Sequence, residues 1–212
     1  MVAKRGREGA GREKTPLERI WHFLWYEDSV ASWVVSILIA FLLIKFVLYP
    51  VLGVVLGTQF PVVAVISDSM EHDQSFDAWW ARQEDLYLQF NITRSDFKEF
   101  PMQSGFDKGD IIFLLGTKPE RLEQGDIIVF SGGKEYPIIH RIVSVDVAAN
   151  GARRFQTKGD HNLGQIVNPP LLDERNVPES TVIGRAVLRV PYLGWVKIGF
   201  VNLLRSIGIA VS

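Results

Sequence analysis

The sequence predicts a mainly β domain carried behind an N-terminal transmembrane helix. Three observations lead there: one long apolar run near the N-terminus, short β-branched and glycine-punctuated apolar runs after it, and two of those short runs that open on the same Gly-Asp turn. A chain of 212 residues holds one domain of ordinary size with an anchor or tail to spare. Its 47% hydrophobic content lies at the upper edge for soluble proteins, and the excess sits in the N-terminal run. With no cysteine, disulfides, thiolate metal sites and a cysteine nucleophile are excluded. A net charge of −1 and the lack of a basic stripe in the main domain argue against nucleic acid as a partner.

Residues 1–28 read as a basic tail followed by interfacial aromatics. Lys4, Arg5, Arg7, Arg12, Lys14 and Arg19 outnumber Glu8, Glu13 and Glu18, so the stretch to residue 19 is expected to be mobile; Trp21, Phe23, Leu24, Trp25 and Tyr26 then form a headgroup-level belt. Residues 29–50 form the transmembrane helix, since Ser29 to Tyr49 would span about 30 Å, the thickness of a bilayer core. Lys45 lies near its end and can snorkel outward, and Pro50 closes it. The run exceeds a usual leader h-region, and no A-x-A-type cleavage site follows, which favours a retained anchor over a cleaved one. The positive-inside rule then puts the N-terminus in the cytoplasm and residues 51–193 outside.

Within 51–193, strands are expected at Val62 to Ile66, Ile111 to Leu115, Ile127 to Phe130, Ile138 to Val145, Phe155 to Lys158 and Val182 to Val190. Gly109-Asp110 and Gly125-Asp126 make the turns into the second and third. Residues 77–100 interrupt the pattern with Trp79, Trp80, Leu86, Tyr87, Phe90, Phe97 and Phe100 among charges, an insertion of one or two short helices whose rings form a small packing face or a partner surface. Asn91-Ile92-Thr93 within it is a glycosylation sequon. Residues 194–212 are apolar but carry Lys197 and Arg205, which suits an interfacial helix better than a second span.

Three segments can carry chemistry. In Pro61 to Glu71 an apolar strand emerges abruptly at Ser67-Asp68-Ser69, which is how a rigid element presents a hydroxyl nucleophile, although Ser-Asp-Ser is also an ordinary turn. His140 sits inside an apolar strand, as a general base for a serine or as a hydrogen-bonded core histidine. Thr157-Lys158-Gly159-Asp160 ends a strand in a tight turn with a carboxylate that could orient an imidazole.

In this order and company the segments resemble the type I signal peptidases, specifically the archaeal and endoplasmic-reticulum branch. The shared features are the anchor, Ser67 to Glu71, the two Gly-Asp strands, His140-Arg141, Lys158-Gly159-Asp160, Gly184-Arg185 and Pro191-Tyr192-Leu193-Gly194, from the anchor to about Ile198. The resemblance implies a signal-peptidase-type β-rich catalytic domain with a C-terminal membrane-proximal helix, and a serine endopeptidase that removes signal peptides from exported pre-proteins. It assigns Ser69 as nucleophile, His140 as general base in place of the bacterial branch's lysine, and Ser67 as an oxyanion donor beside the Ser69 N–H. It also implies an aspartate that supports the histidine, for which Asp160 and Asp173 are both candidates. The expected partners are secretory pre-proteins, the bilayer and other export or signal peptidase subunits, and the short histidine-type chain leans archaeal.

The chain departs from the family pattern at Asp68, which replaces a glycine, at His72-Asp73, which replaces a proline, and in the 77–100 insertion. Glu71, His72 and Asp73 mimic a metal site, but adjacent residues do not converge easily on one ion, so neither metal nor cofactor is expected. Two other readings compete. A self-cleaving repressor-type protease would bring a lysine base and a DNA-binding domain; a non-catalytic membrane subunit of an export complex would tolerate loss of Ser69 or His140.

Overall fold

A computed structural model describes residues 15–133 and 136–193, together with Gly199, Leu203 and Ser206. The chain divides into two compact units, Met1–Val51 and Leu52–Ser212. The C-terminal interfacial helix expected over 194–212 lies outside the described residues, apart from those three positions.

In the first unit, α1 (Pro16–Tyr26) begins earlier than a tail to residue 19 would allow. Thr15 caps it, taking the Glu18 N–H at 3.3 Å while Glu18 accepts the Thr15 N–H at 2.8 Å, and Pro16 occupies the first helical position, where its missing N–H costs nothing. Ser29 caps α2 (Val30–Leu43), and the Ser32 hydroxyl donates to the Phe23 carbonyl at 2.5 Å, tying α1 to α2.

The apolar helix does not stop at Pro50, as the sequence suggested. A π turn at Ile44–Leu48 leads directly into α3 (Tyr49–Leu56), so the helical run Val30–Leu56 has 27 residues, long and apolar enough to cross a membrane. The wider turn, with the Tyr49 N–H bonded to the Ile44 carbonyl, changes the register just ahead of the proline, where an ordinary turn would lose a bond and meet the pyrrolidine ring. Lys45 consequently lies about three turns from the helix end rather than one, its ammonium over the rings of Phe41 and Phe46.

The second unit is mostly β. Its strands are β1 (Val62–Ala64), β2 (Ile111–Leu115), β3 (Ile127–Phe130), β4 (Ile138–Val147), β5 (Arg153–Lys158), β6 (Val167–Asn168), β7 (Leu172–Asp173), β8 (Val177–Pro178) and β9 (Val182–Val190). Among the described residues they make a seven-stranded sheet in the order β1-β2-β9-β3-β4-β5-β8, antiparallel throughout, beside a separate β6–β7 hairpin. The six strands expected from sequence are present, with ends displaced by at most a few residues.

Strand β3 is buried along its whole length because β9 and β4 flank it and both its faces are covered. Ile127 and Val129 join one apolar cluster with Met70, Phe106 and Ile112, whereas Ile128 and Phe130 join another with Ile142, Phe155 and Leu172, the alternation a pleated strand imposes. The two Gly-Asp turns are built alike. Gly109 and Gly125 have φ of 93° and 96°, values glycine takes at little cost, and the Asp110 and Asp126 carboxylates each accept the N–H three residues back. Each aspartate also pairs with an arginine of β9, Asp126 with Arg185 at 3.2 Å and Asp110 with Arg189 at 2.6 Å.

The 77–100 insertion forms α4 (Phe76–Leu88) and α5 (Arg94–Glu99), capped by Ser75 and Thr93. Trp79, Trp80, Tyr87, Ile92 and Phe97 pack with Val143 of β4 into a third buried cluster, so these rings form a core of their own rather than a surface.

Candidate active site

The Ser69 turn is held by main-chain bonds on both sides. Upstream, the Val65 N–H donates to the Asp110 carbonyl and the Gly109 N–H to the Val65 carbonyl, both at 2.9 Å. Downstream, the Ser69 carbonyl accepts the His161 N–H at 2.9 Å, and the Met70 carbonyl accepts the Phe106 N–H at 3.0 Å. Met70, fully buried, anchors the turn in the core, leaving Ser67 and Asp68 exposed and Ser69 half-buried. The two hydroxyls lie 3.2 Å apart.

His140 comes from the middle of β4, paired with Ile128, on the face that carries Ile138 and Ile142. Its Nδ1 is hydrogen-bonded to Glu174 Oε1, and both side chains are buried. Glu174 is closely held: Oε1 also accepts the Thr157 hydroxyl at 3.1 Å, and Oε2 accepts the Ile166 N–H at 2.6 Å. Its main chain exchanges bonds with Thr157 and Ile166. The other ring nitrogen, Nε2, faces Gly159. A β-carbon there would lie 2.8 Å from His140 Nε2, 2.7 Å from the Ser69 carbonyl oxygen and 2.7 Å from Asn162 Nδ2, so the imidazole and the serine turn flank a position only glycine can fill. Among the described residues no hydrogen bond joins Ser69 Oγ to His140; the hydroxyl lies instead within 3.2 Å of the Ser67 hydroxyl.

Neither aspartate expected from the sequence touches His140. Asp160 lies on the opposite side of β4, where Arg141 points: adjacent residues of a strand face opposite ways, so His140 and Arg141 each need their own carboxylate. Arg141 Nη2 reaches Asp160 Oδ2 at 2.7 Å and Nε reaches Oδ1 at 3.0 Å; Tyr87 donates to Oδ1 at 2.7 Å, and His72 Nε2 lies 3.2 Å from Oδ2. Burial alone would push the Asp160 carboxyl up, but the Arg141 charge together with the His72 and Arg141 hydrogen bonds outweighs it and holds the group well below the usual carboxylate range. Tyr87 is pushed well above the ordinary phenol value by burial and then by the Asp160 charge. Asp173 faces outward on β7, taking the Arg175 N–H at 3.1 Å.

Glu174 was not found from the sequence, although a signal existed. If Leu172 points into the core, the residue two positions on points the same way in extended chain, and Asp173 between them points out. The Glu71-His72-Asp73 run does not converge: His72 turns inward to Asp160, and Asp73 pairs with Arg82. Burial pushes Lys158 down to about 8, against the opposing charges of Asp160 and Glu174; its ammonium donates to Gln83 Oε1 at 2.7 Å and lies over the Tyr87 ring.

A serine on a fixed turn, an imidazole facing the same glycine and a buried carboxylate on the far ring nitrogen are the parts from which serine hydrolases are built. The comparisons with known proteins are more particular. No family model matches the chain. Over 100 residues, 46% of this chain and 51% of the relative, it is 35% identical to the signal peptidase complex catalytic subunit SEC11C of Homo sapiens and equally to that of Canis lupus familiaris. It is 32% identical over 99 residues, 46% of this chain and 57% of the relative, to the signal peptidase complex catalytic subunit SEC11 of Colletotrichum graminicola. Its homologues are thus signal peptidase catalytic subunits, and the chain spans about half the length of the curated relatives it matches.

Proposed function

We propose that this chain is a membrane-bound serine endopeptidase that removes signal peptides from exported pre-proteins. The observation that carries the proposal is the His140–Glu174 pair, whose free ring nitrogen faces Gly159 and the Ser69 turn, in a chain homologous to signal peptidase catalytic subunits. Glu174 accepts a hydrogen bond from the Nδ1–H, which leaves Nε2 as the basic nitrogen. Nε2 takes the proton of the Ser69 hydroxyl as that oxygen attacks the scissile carbonyl. The oxyanion is received by the Ser69 N–H and the Ser67 hydroxyl. Collapse of the tetrahedral species breaks the C–N bond while His140 returns its proton to the leaving amine, and water then hydrolyses the acyl-serine by the same steps. Asp160 acts structurally, holding the loop that bears Gly159 to Arg141 and Tyr87.

The substrate is the extended segment just beyond a hydrophobic leader, with small residues one and three positions before the cut. Strand β1, at the edge of the sheet and leading directly into the Ser69 turn, offers main-chain groups to which such a segment can add. The helix Val30–Leu56 serves as the anchor, with the N-terminus cytoplasmic and the β domain outside, keeping the site beside the leader. Companion subunits of an export machinery are further partners under this reading.

The test is to incubate the purified protein in lipid with a pre-protein and map the products by mass spectrometry. Cleavage at one bond after a small residue, abolished in Ser69→Ala, is expected. Equal cleavage by Ser69→Ala would overturn the assignment, and activity that resides wholly in a co-purifying protein would favour the non-catalytic subunit.

A further inference from the structure

The two segments that meet at the site, 67–72 and 158–162, are joined by four contacts. Three of them are the His161 N–H to the Ser69 carbonyl at 2.9 Å, the Asp160 N–H to Met70 Sδ at 3.4 Å, and His161 Nδ1 to the Glu71 carbonyl at 3.3 Å. The fourth, between His72 Nε2 and Asp160 Oδ2, joins two side chains that are 3% and 0% exposed. The His72 ring is fixed from the sides as well. It stacks on Trp79 with centroids 3.6 Å apart and planes at 14°, and it lies against the bare face of Gly105, where a β-carbon would come within 2.6 Å of the ring. Asp160, held ionised, can only accept, so His72 Nε2 carries the donated proton, while the buried Nδ1 has no partner.

We propose that His72 is a positioning residue for Ser69. It pins the end of the serine turn to a carboxylate that Arg141 and Tyr87 already immobilise, and so sets the height at which Ser69 meets His140 across Gly159. The upstream bonds fix where the turn leaves the sheet; exposed Ile66, Ser67 and Asp68 follow, buried Met70 and the Ser69 carbonyl hold its middle, and His72 ties down its far end. Trp79 of α4 supplies the other face of the clamp, which gives the insertion a part in the chemistry. This inference rests on the assignment of Ser69 and His140 above.

The experiment compares steady-state cleavage of a pre-protein by full-length wild type, His72→Phe, His72→Gln and Ser69→Ala in lipid, with a thermal melt of each. Phenylalanine keeps the stacked ring but has no donor. Glutamine places an amide N–H near the former Nε2. His72→Phe is expected to lower kcat by about 10- to 100-fold, the scale of a small misplacement of a reacting group, with KM within about twofold. His72→Gln is expected to recover most of that loss. Wild-type kcat in His72→Phe overturns the proposal, as does a folded His72→Gln that is as slow as His72→Phe. If His72→Phe does not fold, His72→Gln decides: near-wild-type kcat supports the bond, and low kcat with an unchanged melt overturns it. Failure of the underlying reading looks different, because Ser69→Ala would then cleave.

Discussion

His140 and Glu174, 34 positions apart in the sequence, share a hydrogen bond from the imidazole Nδ1 to a carboxylate that is completely buried. The second carboxylate oxygen and the Glu174 main chain are themselves bonded to Ile166 and Thr157, so the acid cannot swing away without breaking the links between β5 and the β6–β7 hairpin. That bond fixes both the orientation and the tautomer of His140.

Glu174→Gln should therefore lower kcat/KM by about 10²- to 10⁴-fold, because an amide in place of the acid permits the wrong tautomer. Asp173→Asn, partly exposed and without contact to His140, should stay within about threefold of wild type, as substitutions away from a buried network generally do. Parallel kinetics on the two variants check this; equal losses, or a larger one at Asp173, would contradict the assignment.

Gly159→Ala tests the close approach of the imidazole to the serine turn. Its methyl would sit 2.7 Å from the Ser69 carbonyl and 2.8 Å from His140 Nε2, and both are fixed elsewhere, so the two must separate. A fall in kcat of about 10²-fold and a destabilisation of about 1–3 kcal/mol are expected. Wild-type turnover would show that this separation is not critical.

Asp160 and Arg141 should matter for stability first. Removing either partner of a fully buried pair leaves the other charge uncompensated, so Arg141→Leu or Asp160→Asn is expected to destabilise the β domain by about 3–5 kcal/mol. Because the folded Asp160 pKa lies below its unfolded value, its contribution is complete above about pH 4 and is lost as pH falls further. Denaturation measured against pH should show that acid limb in wild type and a shallower one in Asp160→Asn.

Lys158 gives a dependence of the same sign in the alkaline range. Its folded pKa is about 8, below the free value of 10.5, so between those limits the unfolded chain binds the extra proton and stability rises with pH. Lys158→Met should remove that rise from melts taken between pH 8 and pH 10. An unchanged slope would mean that the ammonium is better solvated than its burial against Gln83 and Tyr87 implies.

Much of this was legible in the sequence because it is local. The strands follow from short β-branched apolar runs punctuated by glycine, the twin turns from Gly-Asp, and the serine and histidine segments from polar residues that interrupt apolar ones. What the sequence obscured depends on tertiary placement. Asp160 is next to the glycine that faces His140, yet its side chain serves Arg141, since β4 sends its two basic residues to opposite faces. Glu174 was passed over because a longer connection precedes it and an aspartate stands beside it, although the inward position of Leu172 implies that of Glu174. The helix past Pro50 was hidden for another reason: a π turn that absorbs a proline leaves no residue signature of its own.

The most direct test of the central claim is kcat/KM for pre-protein cleavage by Ser69→Ala, His140→Ala and the double variant, each shown to be folded. If the two residues act as one unit, each single change should cost about 10³-fold or more, and the double variant should be no worse than the worse single one. Single variants that keep more than about a tenth of wild-type activity, or losses that multiply in the double variant, would contradict a shared proton transfer between Ser69 and His140.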